Sequence, residues 1–231
     1  MASTQEIQTT SGGKERIPQT IAIFKEAFKD DPVFAYFLGG LPEEKRQPYL
    51  PTLLTSFAKA SMLNGGQILE AGDWGSCAIL MPPGKKAENP CTILQAGLLS
   101  VLMTLKVSGC KRFLIEYTSG AKCVKEKGLT KRERAAFWYL FLVGTAPERQ
   151  RQGLAGALID RMKDLARRDG RPIWLEASTA RSRRVYAKHG FADVDEVVVG
   201  RGRVDADGKA KEGGEGVTIW GMVWRPEEKL E

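Results

Sequence analysis

The sequence contains one histidine, His189, and four cysteines that stand far apart at positions 77, 91, 110 and 123. A histidine-based triad or zinc centre needs more imidazole than this, and none of the cysteine spacings matches a zinc or redox motif, so no metal is expected. Long apolar runs are also missing. The longest, from Ile93 to Leu105, is interrupted by Gln95, Gly97, Ser100 and Thr104 and stops at Lys106, whereas a membrane span needs roughly 20 apolar residues. Met1 to Lys14 is polar and rich in Gly, Ser and Thr, unlike a secretory leader. A cytoplasmic protein without a membrane partner is the expectation. Two phosphate-binding loops are absent too: no Gly-Lys-Ser/Thr ending occurs, and no Gly-x-Gly-x-x-Gly.

The chain has 231 residues, of which 42% are hydrophobic, enough for one large domain with a substantial core. Residues 1–14 read as a flexible tail and 15–231 as a single domain. The formal charge of +7 is concentrated: from Pro147 to Phe191 eleven Lys/Arg face five Asp/Glu, leaving the rest nearly balanced. That stretch lacks the interleaved aromatic platform of a single-strand binder. A compact polyanion such as a phosphorylated cofactor suits it better than nucleic acid.

Apolar spacing predicts helix over 17–37 with a break at Asp31-Pro32, and a second helix from Pro48 to Leu63. Two short strands, Gln67 to Ala71 and Ser76 to Met81, follow. Helix is expected over 92–128, broken around Ser108-Gly109. Strand Ala136 to Thr145 leads into a turn at Arg149 to Gln152, and a helix runs on to about Arg168. A strand over 172–177, a short helix over 182–188 and two late strands, 192–200 and 217–224, complete an α/β sheet with an antiparallel end.

The informative segment runs from Pro147 to Gly156, after a strand and at the start of a helix. The first amides of a helix have no intrahelical partner, and the dipole places partial positive charge there. A diphosphate fits such a site if nearby side chains are small, as Gly153, Ala155 and Gly156 are. Arg149 and Arg151 add positive charge. The pattern Gln150-x-x-Gly153-x-Ala155 resembles the cofactor motif of the GNAT superfamily of N-acetyltransferases, and Tyr186-Ala187-Lys188-His189-Gly190-Phe191 resembles that family's Tyr-x-x-x-Gly-Phe close. Short segments (residues 27–32, 175–178 and 220–222) are similar to those of the puromycin N-acetyltransferase type.

The resemblance implies a mixed, mostly antiparallel sheet of six to seven strands flanked by helices and splayed at the cofactor strand. It implies acetyl-CoA as cofactor. The backbone of Leu142, Val143, Gly144 and Thr145 would face its pantetheine arm, and Gln150, Arg151, Gln152, Gly153, Leu154, Ala155 and Gly156 its diphosphate. Thr179 stands where the family commonly has Asn. Tyr186 occupies the position of the acid that protonates the departing thiolate. Reference pKa values of about 10 for tyrosine and about 8.5 for a thiol make that transfer uphill by about 2 kcal/mol.

An attacking alkylamine has a pKa near 10.4, so a carboxylate or a water chain must take its proton. Glu176, Glu116 and Asp31 are candidates, with Glu176 first. Gly144 is expected to let its strand bulge or a ligand approach closely. His189, beside Gly190 at a helix end, reads as a cap. Trp138, Tyr139, Phe34, Tyr36, Phe113 and Tyr117 are candidates for an acceptor pocket or for core, and the loop 205–216 for a mobile hairpin tip near it. The leading function is transfer of acetyl to a primary amine of a small molecule by direct attack in a ternary complex, by a monomer or homodimer. Protein or peptide acetylation, a basic nucleic-acid-binding module and a catalytically silent acyl-CoA sensor are the alternatives.

Overall fold

The computed structural model describes residues 7–87 and 89–227. Among them, seven strands form one sheet in the order β1-β2-β3-β4-β5-β7-β6. These are β1 (Thr9–Gly12), β2 (Gln67–Ala71), β3 (Ser76–Met81), β4 (Trp138–Thr145), β5 (Ile173–Ala177), β6 (Ala192–Val199) and β7 (Val217–Trp224). Every neighbouring pair is antiparallel except β4–β5. The mixed, mostly antiparallel sheet expected from the sequence is therefore what forms, and β2, β3 and β7 have the expected bounds.

Side chains alternate across the sheet, and each face is covered. On one face α1 (Ile17–Ala27), α2 (Pro32–Leu38) and α3 (Glu43–Leu63) bury Phe24, Leu53 and Leu54 against Ile68, Cys77 and Ile79. On the other, α7 (Leu154–Asp169) buries Leu154, Leu158 and Met162 against Leu69, Ala78, Leu80 and Leu140. The spacing of 154, 158 and 162 places them on one helical stripe, and burying each such side chain contributes about 1.5–3 kcal/mol. The Gly170 C-cap, at φ 59°, ends α7 in the left-handed conformation that glycine tolerates.

Several expectations are corrected. Residues 9–12 are not part of a loose tail: they pair with β2 from Thr9↔Ala71 to Gly12↔Ile68, and Thr10 Oγ1 donates to Glu70 Oε1 at 2.7 Å. Residues 1–6 of that expected tail lie outside the described residues. α3 begins at Glu43, five positions before Pro48, because Glu43 and Glu44 favour a helix N-terminus and Pro48 and Pro51 are absorbed within the helix. In α4 (Leu98–Cys110) the break falls at Lys106, whose φ is 57°, and Cys110 Sγ donates to Leu102 O at 3.2 Å across it. A π-helical segment, Lys111–Tyr117, then leads into α5 (Thr118–Gly128). The unforeseen α6 (Lys131–Ala135) starts on a capping box between Thr130 and Glu133. A further short helix, α8 (Ala180–Lys188), follows β5. The β6–β7 loop folds back on itself through a Val204↔Ala210 bridge, with Val204 buried.

Two features of β4 shape the site. Ile79 pairs with Leu142 and Leu80 with Leu140, so Phe141 is an extra residue in a β-bulge. The bulge switches the parity of the strand: Trp138 and Leu140 pack toward α7 before it, Phe141 and Leu142 toward α1–α3, and Val143 toward α7 after it. A bulge also adds local twist. Beyond it the strand leaves β5. The pair is in register only at Trp138↔Ile173 and Tyr139↔Trp174, and the two strands then diverge into a cleft. Gly144 is not the bulge residue; an added Cβ there would lie 2.9 Å from Phe24 Cδ1 and 3.0 Å from Ala27 Cβ, so its role is to admit α1.

Candidate active site

The cleft has a volume of about 1300 Å³ and runs from the bend before α7 to a cluster of aromatic rings under α2, α3 and the π-helical segment. At the first end, Gln150 is extended, Arg151 has φ 63° and Gly153 φ 80°. A non-glycine residue in the left-handed region carries strain, and such strain concentrates at functional sites. The N-terminus of α7 receives no side-chain cap, so its first amides keep their capacity to donate. Gly156 has a second reason to be small: a Cβ would lie 3.0 Å from His189 Cε1. His189 is the C-cap residue of α8, and its Nδ1 lies 3.4 Å from Asp160 Oδ1.

Not every residue expected at the bend faces the cleft. Arg151, Gly153, Leu154, Ala155 and Gly156 line it, as do Gln150 and Arg149. Gln152 does not; its Oε1 accepts from Arg149 Nε at 3.0 Å, and its Nε2 donates to Glu148 O at 3.4 Å. Arg149 also donates to Gly72 O at 3.1 Å, which ties the bend to the β2–β3 turn. Arg181, which the sequence did not single out, reaches across from α8 and donates to Gln150 Oε1 at 2.9 Å. Leu142, Val143, Gly144 and Thr145 form the β4 wall. Thr179 is the N-cap of α8, and its Oγ1 accepts from Ser182 N at 3.0 Å.

Tyr186 lines the cleft as well. It is 7% exposed, its ring lies 5.8 Å from that of Phe191, and its hydroxyl has no hydrogen-bond partner among the described residues. Burial, and then the charge of Asp31, push its pKa well above the ordinary tyrosine value, so the hydroxyl keeps its proton.

The three carboxylates have different fates. Asp31 caps α2, with Oδ1 accepting from Val33 N at 2.9 Å and Phe34 N at 3.2 Å. Ser178 Oγ donates to its other oxygen at 2.5 Å. Burial pushes the Asp31 pKa up against these three hydrogen bonds, and both Asp31 and Ser178 line the cleft. Glu176 also lines the cleft, but its Oε1 accepts from Trp174 Nε1 at 2.6 Å and lies 3.5 Å from Lys125 Nζ. Glu116 is not on the wall: it accepts from the Tyr36 hydroxyl at 2.5 Å and pairs with Arg203 of the β6–β7 loop.

At the far end the rings pack edge to face. Phe28–Phe34 centroids are 5.2 Å apart, Phe37–Phe113 5.0 Å and Phe57–Phe141 5.6 Å, and Tyr117 joins Phe37 at 5.2 Å. All seven line the cleft. Of the acceptor-pocket candidates, Trp138, Tyr139 and Tyr36 are not on its wall; Trp138 Nε1 donates instead to Asp169 Oδ2 at 3.0 Å.

The model of the Acetyltransferase (GNAT) family matches residues 102–191, which include β4, the bend, α7, β5 and Tyr186. The chain is 29% identical over 170 residues to an uncharacterised N-acetyltransferase of Schizosaccharomyces pombe, covering 74% of this chain and 68% of that protein. Over residues 102–191 the chain is thus similar to the GNAT family, and over most of its length to an N-acetyltransferase. It is an acetyltransferase, and GNAT proteins in general use acetyl-CoA. Solved GNAT structures share its fold over nearly the whole chain. A Corynebacterium glutamicum protein described as histone acetyltransferase HPA2 and related acetyltransferase is 19% identical with a TM-score of 0.59, covering 98% of this chain and 100% of its own. A Drosophila melanogaster polyamine N-acetyltransferase is 11% identical with a TM-score of 0.60, covering 95% and 100%. Arylalkylamine N-acetyltransferase 2 of Aedes aegypti is 17% identical with a TM-score of 0.58, covering 96% and 99%.

Proposed function

We propose that this protein transfers the acetyl group of acetyl-CoA to the primary amine of a small molecule, by direct attack within a ternary complex. The observation that carries the proposal is that one cleft joins an uncapped helix N-terminus to the hydroxyl of Tyr186, which has no hydrogen-bond partner among the described residues. The residues present fit the cofactor. The left-handed turns at Arg151 and Gly153 and the first amides of α7 suit a diphosphate, with Arg181 and Arg151 contributing charge. The β4 edge from Leu142 to Thr145, free of β5 in this region, supplies backbone groups for an amide-bearing arm. Two structural neighbours are named for small amines, a polyamine in one case and arylalkylamines in another.

Acetyl-CoA supplies a thioester carbonyl. Asp31, with Ser178 beside it, replaces Glu176 as the preferred acceptor of the amine's proton, because burial raises its proton affinity while Trp174 and Lys125 hold the Glu176 carboxylate. With acetyl-CoA bound, Tyr186 Oη would hold the proton that the sulfur needs when the amine displaces it from the acetyl group, and Asp31 would take the proton the amine gives up. Burial that raises the tyrosine pKa raises that of a thiol in the same cleft, so the gap between donor and acceptor persists.

Thermal denaturation with acetyl-CoA, longer acyl-CoAs and nucleotides, followed by thiol-release assays over an amine panel, tests the proposal. Saturating acetyl-CoA should raise the melting temperature and support turnover. No stabilisation by any acyl-CoA would remove it.

A further inference from the structure

We infer that the acceptor is a mono-amine carrying an apolar, preferably aryl, body, and that Phe113 of the π-helical segment selects it. This inference rests on the acetyl-transfer proposal and adds the chemical class of the acceptor. Beyond Asp31, α2 contributes Val33, Phe34 and Phe37 to the wall, α3 contributes Phe57, and the π-helical segment contributes Phe113 and Tyr117. None of these carries a charge. The two charged residues flanking Phe113 and Tyr117 are turned away, Arg112 to the Tyr36 carbonyl at 2.9 Å and Glu116 to the Tyr36 hydroxyl. With Glu176 engaged by Trp174 and Lys125, Asp31 is the buried carboxylate left beside the rings for a single amine.

A second ammonium, as in a polyamine, would lose its water among these rings, none of which brings a carboxylate; Glu176, elsewhere on the cleft wall, is already held by Trp174 and Lys125. Cation–π attraction recovers only part of that desolvation cost. The peptide groups around a lysine side chain would likewise lose hydrogen bonds to water without replacement. A flat apolar body loses nothing and fills space between rings already spaced for edge-to-face contact. Behind the wall lies a second, apolar cavity of about 60 Å³, and three of the same rings, Phe57, Phe113 and Phe141, border it. Phe113 thus has apolar space on both sides, so a shift of its ring can enlarge the acceptor end without exposing a polar group.

The test uses the full chain with saturating acetyl-CoA and compares initial thiol-release rates for 2-phenylethylamine, hexylamine, spermidine and a lysine-containing peptide. Phenylethylamine should exceed spermidine and the peptide in kcat/KM by at least about tenfold. Phe113→Leu, which keeps most of the packing volume, should lower kcat/KM for phenylethylamine about tenfold while changing hexylamine less than about threefold. The acetyl-CoA Kd should stay the same, which shows that the variant is folded. Spermidine or the peptide matching phenylethylamine, or Phe113→Leu lowering every amine equally, overturns the inference and leaves the acetyl-transfer proposal standing. Turnover of no amine at all defeats both.

Discussion

Replacing Tyr186 with Phe isolates the chemistry of one hydroxyl. The ring is buried against Phe191, while the hydroxyl makes no hydrogen bond among the described residues, so its removal deletes no bond of the fold. The residue lines the cleft, and losing the hydroxyl leaves the ring packing intact, so Tyr186→Phe should melt within a few degrees of the parent. Catalysis, by contrast, should fall. General acid catalysis contributes roughly 10²- to 10⁴-fold, or about 2.7–5.5 kcal/mol, and the expected loss in kcat lies in that range. Cofactor affinity should change less than about twofold, since the bend and the α7 amides are untouched. Thiol release at saturating acetyl-CoA gives kcat, calorimetric titration gives the Kd, and thermal denaturation gives the stability. An unchanged kcat refutes the acid role. A drop in kcat matched by an equal loss of affinity refutes it as well, because the hydroxyl would then only help to bind.

Three other substitutions probe separate parts of the structure. Asp31→Asn keeps a competent N-cap on α2 but cannot accept a proton, so the acidic limb of the pH–rate profile should disappear along with most of the activity. Because the folded pKa of Asp31 lies above its ordinary 3.8, its stabilising contribution is present at low pH and declines as pH rises from about 4; melting curves across pH 3–8 should show the Asn variant gaining on the parent. Gly144→Val should lower the melting temperature by several degrees, with an overpacking cost of about 1–3 kcal/mol against Phe24 and Ala27; an unchanged melting point would contradict that packing. The carboxyl of Glu133, hydrogen-bonded by Arg225 and held down to a pKa of about 2, contributes stability above its ordinary 4.5 that is lost as pH falls toward 2. Glu133→Gln should therefore cost up to about 1 kcal/mol at neutral pH, given the partial exposure of the pair, and nothing near pH 2.

Strands with apolar residues and sharp glycine or proline boundaries were legible in the sequence. β3, between Gly75 and Pro82, has the expected bounds, and so do β2 and β7. β1 was not legible, because Thr9-Thr10-Ser11-Gly12 has no apolar pattern and its strand character comes from the backbone of β2. The bulge at Phe141 lies in a run apolar on both faces, where a change of parity leaves no mark. α6 was readable and missed: Thr130-x-x-Glu133 is a capping-box pattern. In the site, the bend and Tyr186 stand out as local motifs. The Ser178–Asp31 bond joins residues 147 positions apart, and the ring wall draws on residues from several elements; neither has a local signature.

The sheet is joined across its middle by only two registered residue pairs, Trp138↔Ile173 and Tyr139↔Trp174. β1–β4 on one side and β5–β7 on the other thus resemble two jaws sharing a short hinge. Past the hinge, Ser178 holding Asp31 and Arg181 holding Gln150 act as side-chain clasps between them. Past the hinge the two halves are therefore held by side-chain contacts, these two with the His189–Asp160 and Arg203–Glu116 pairs among them, rather than by a continuous backbone ladder, and a guest that grips both jaws stiffens the molecule where its own framework is thinnest.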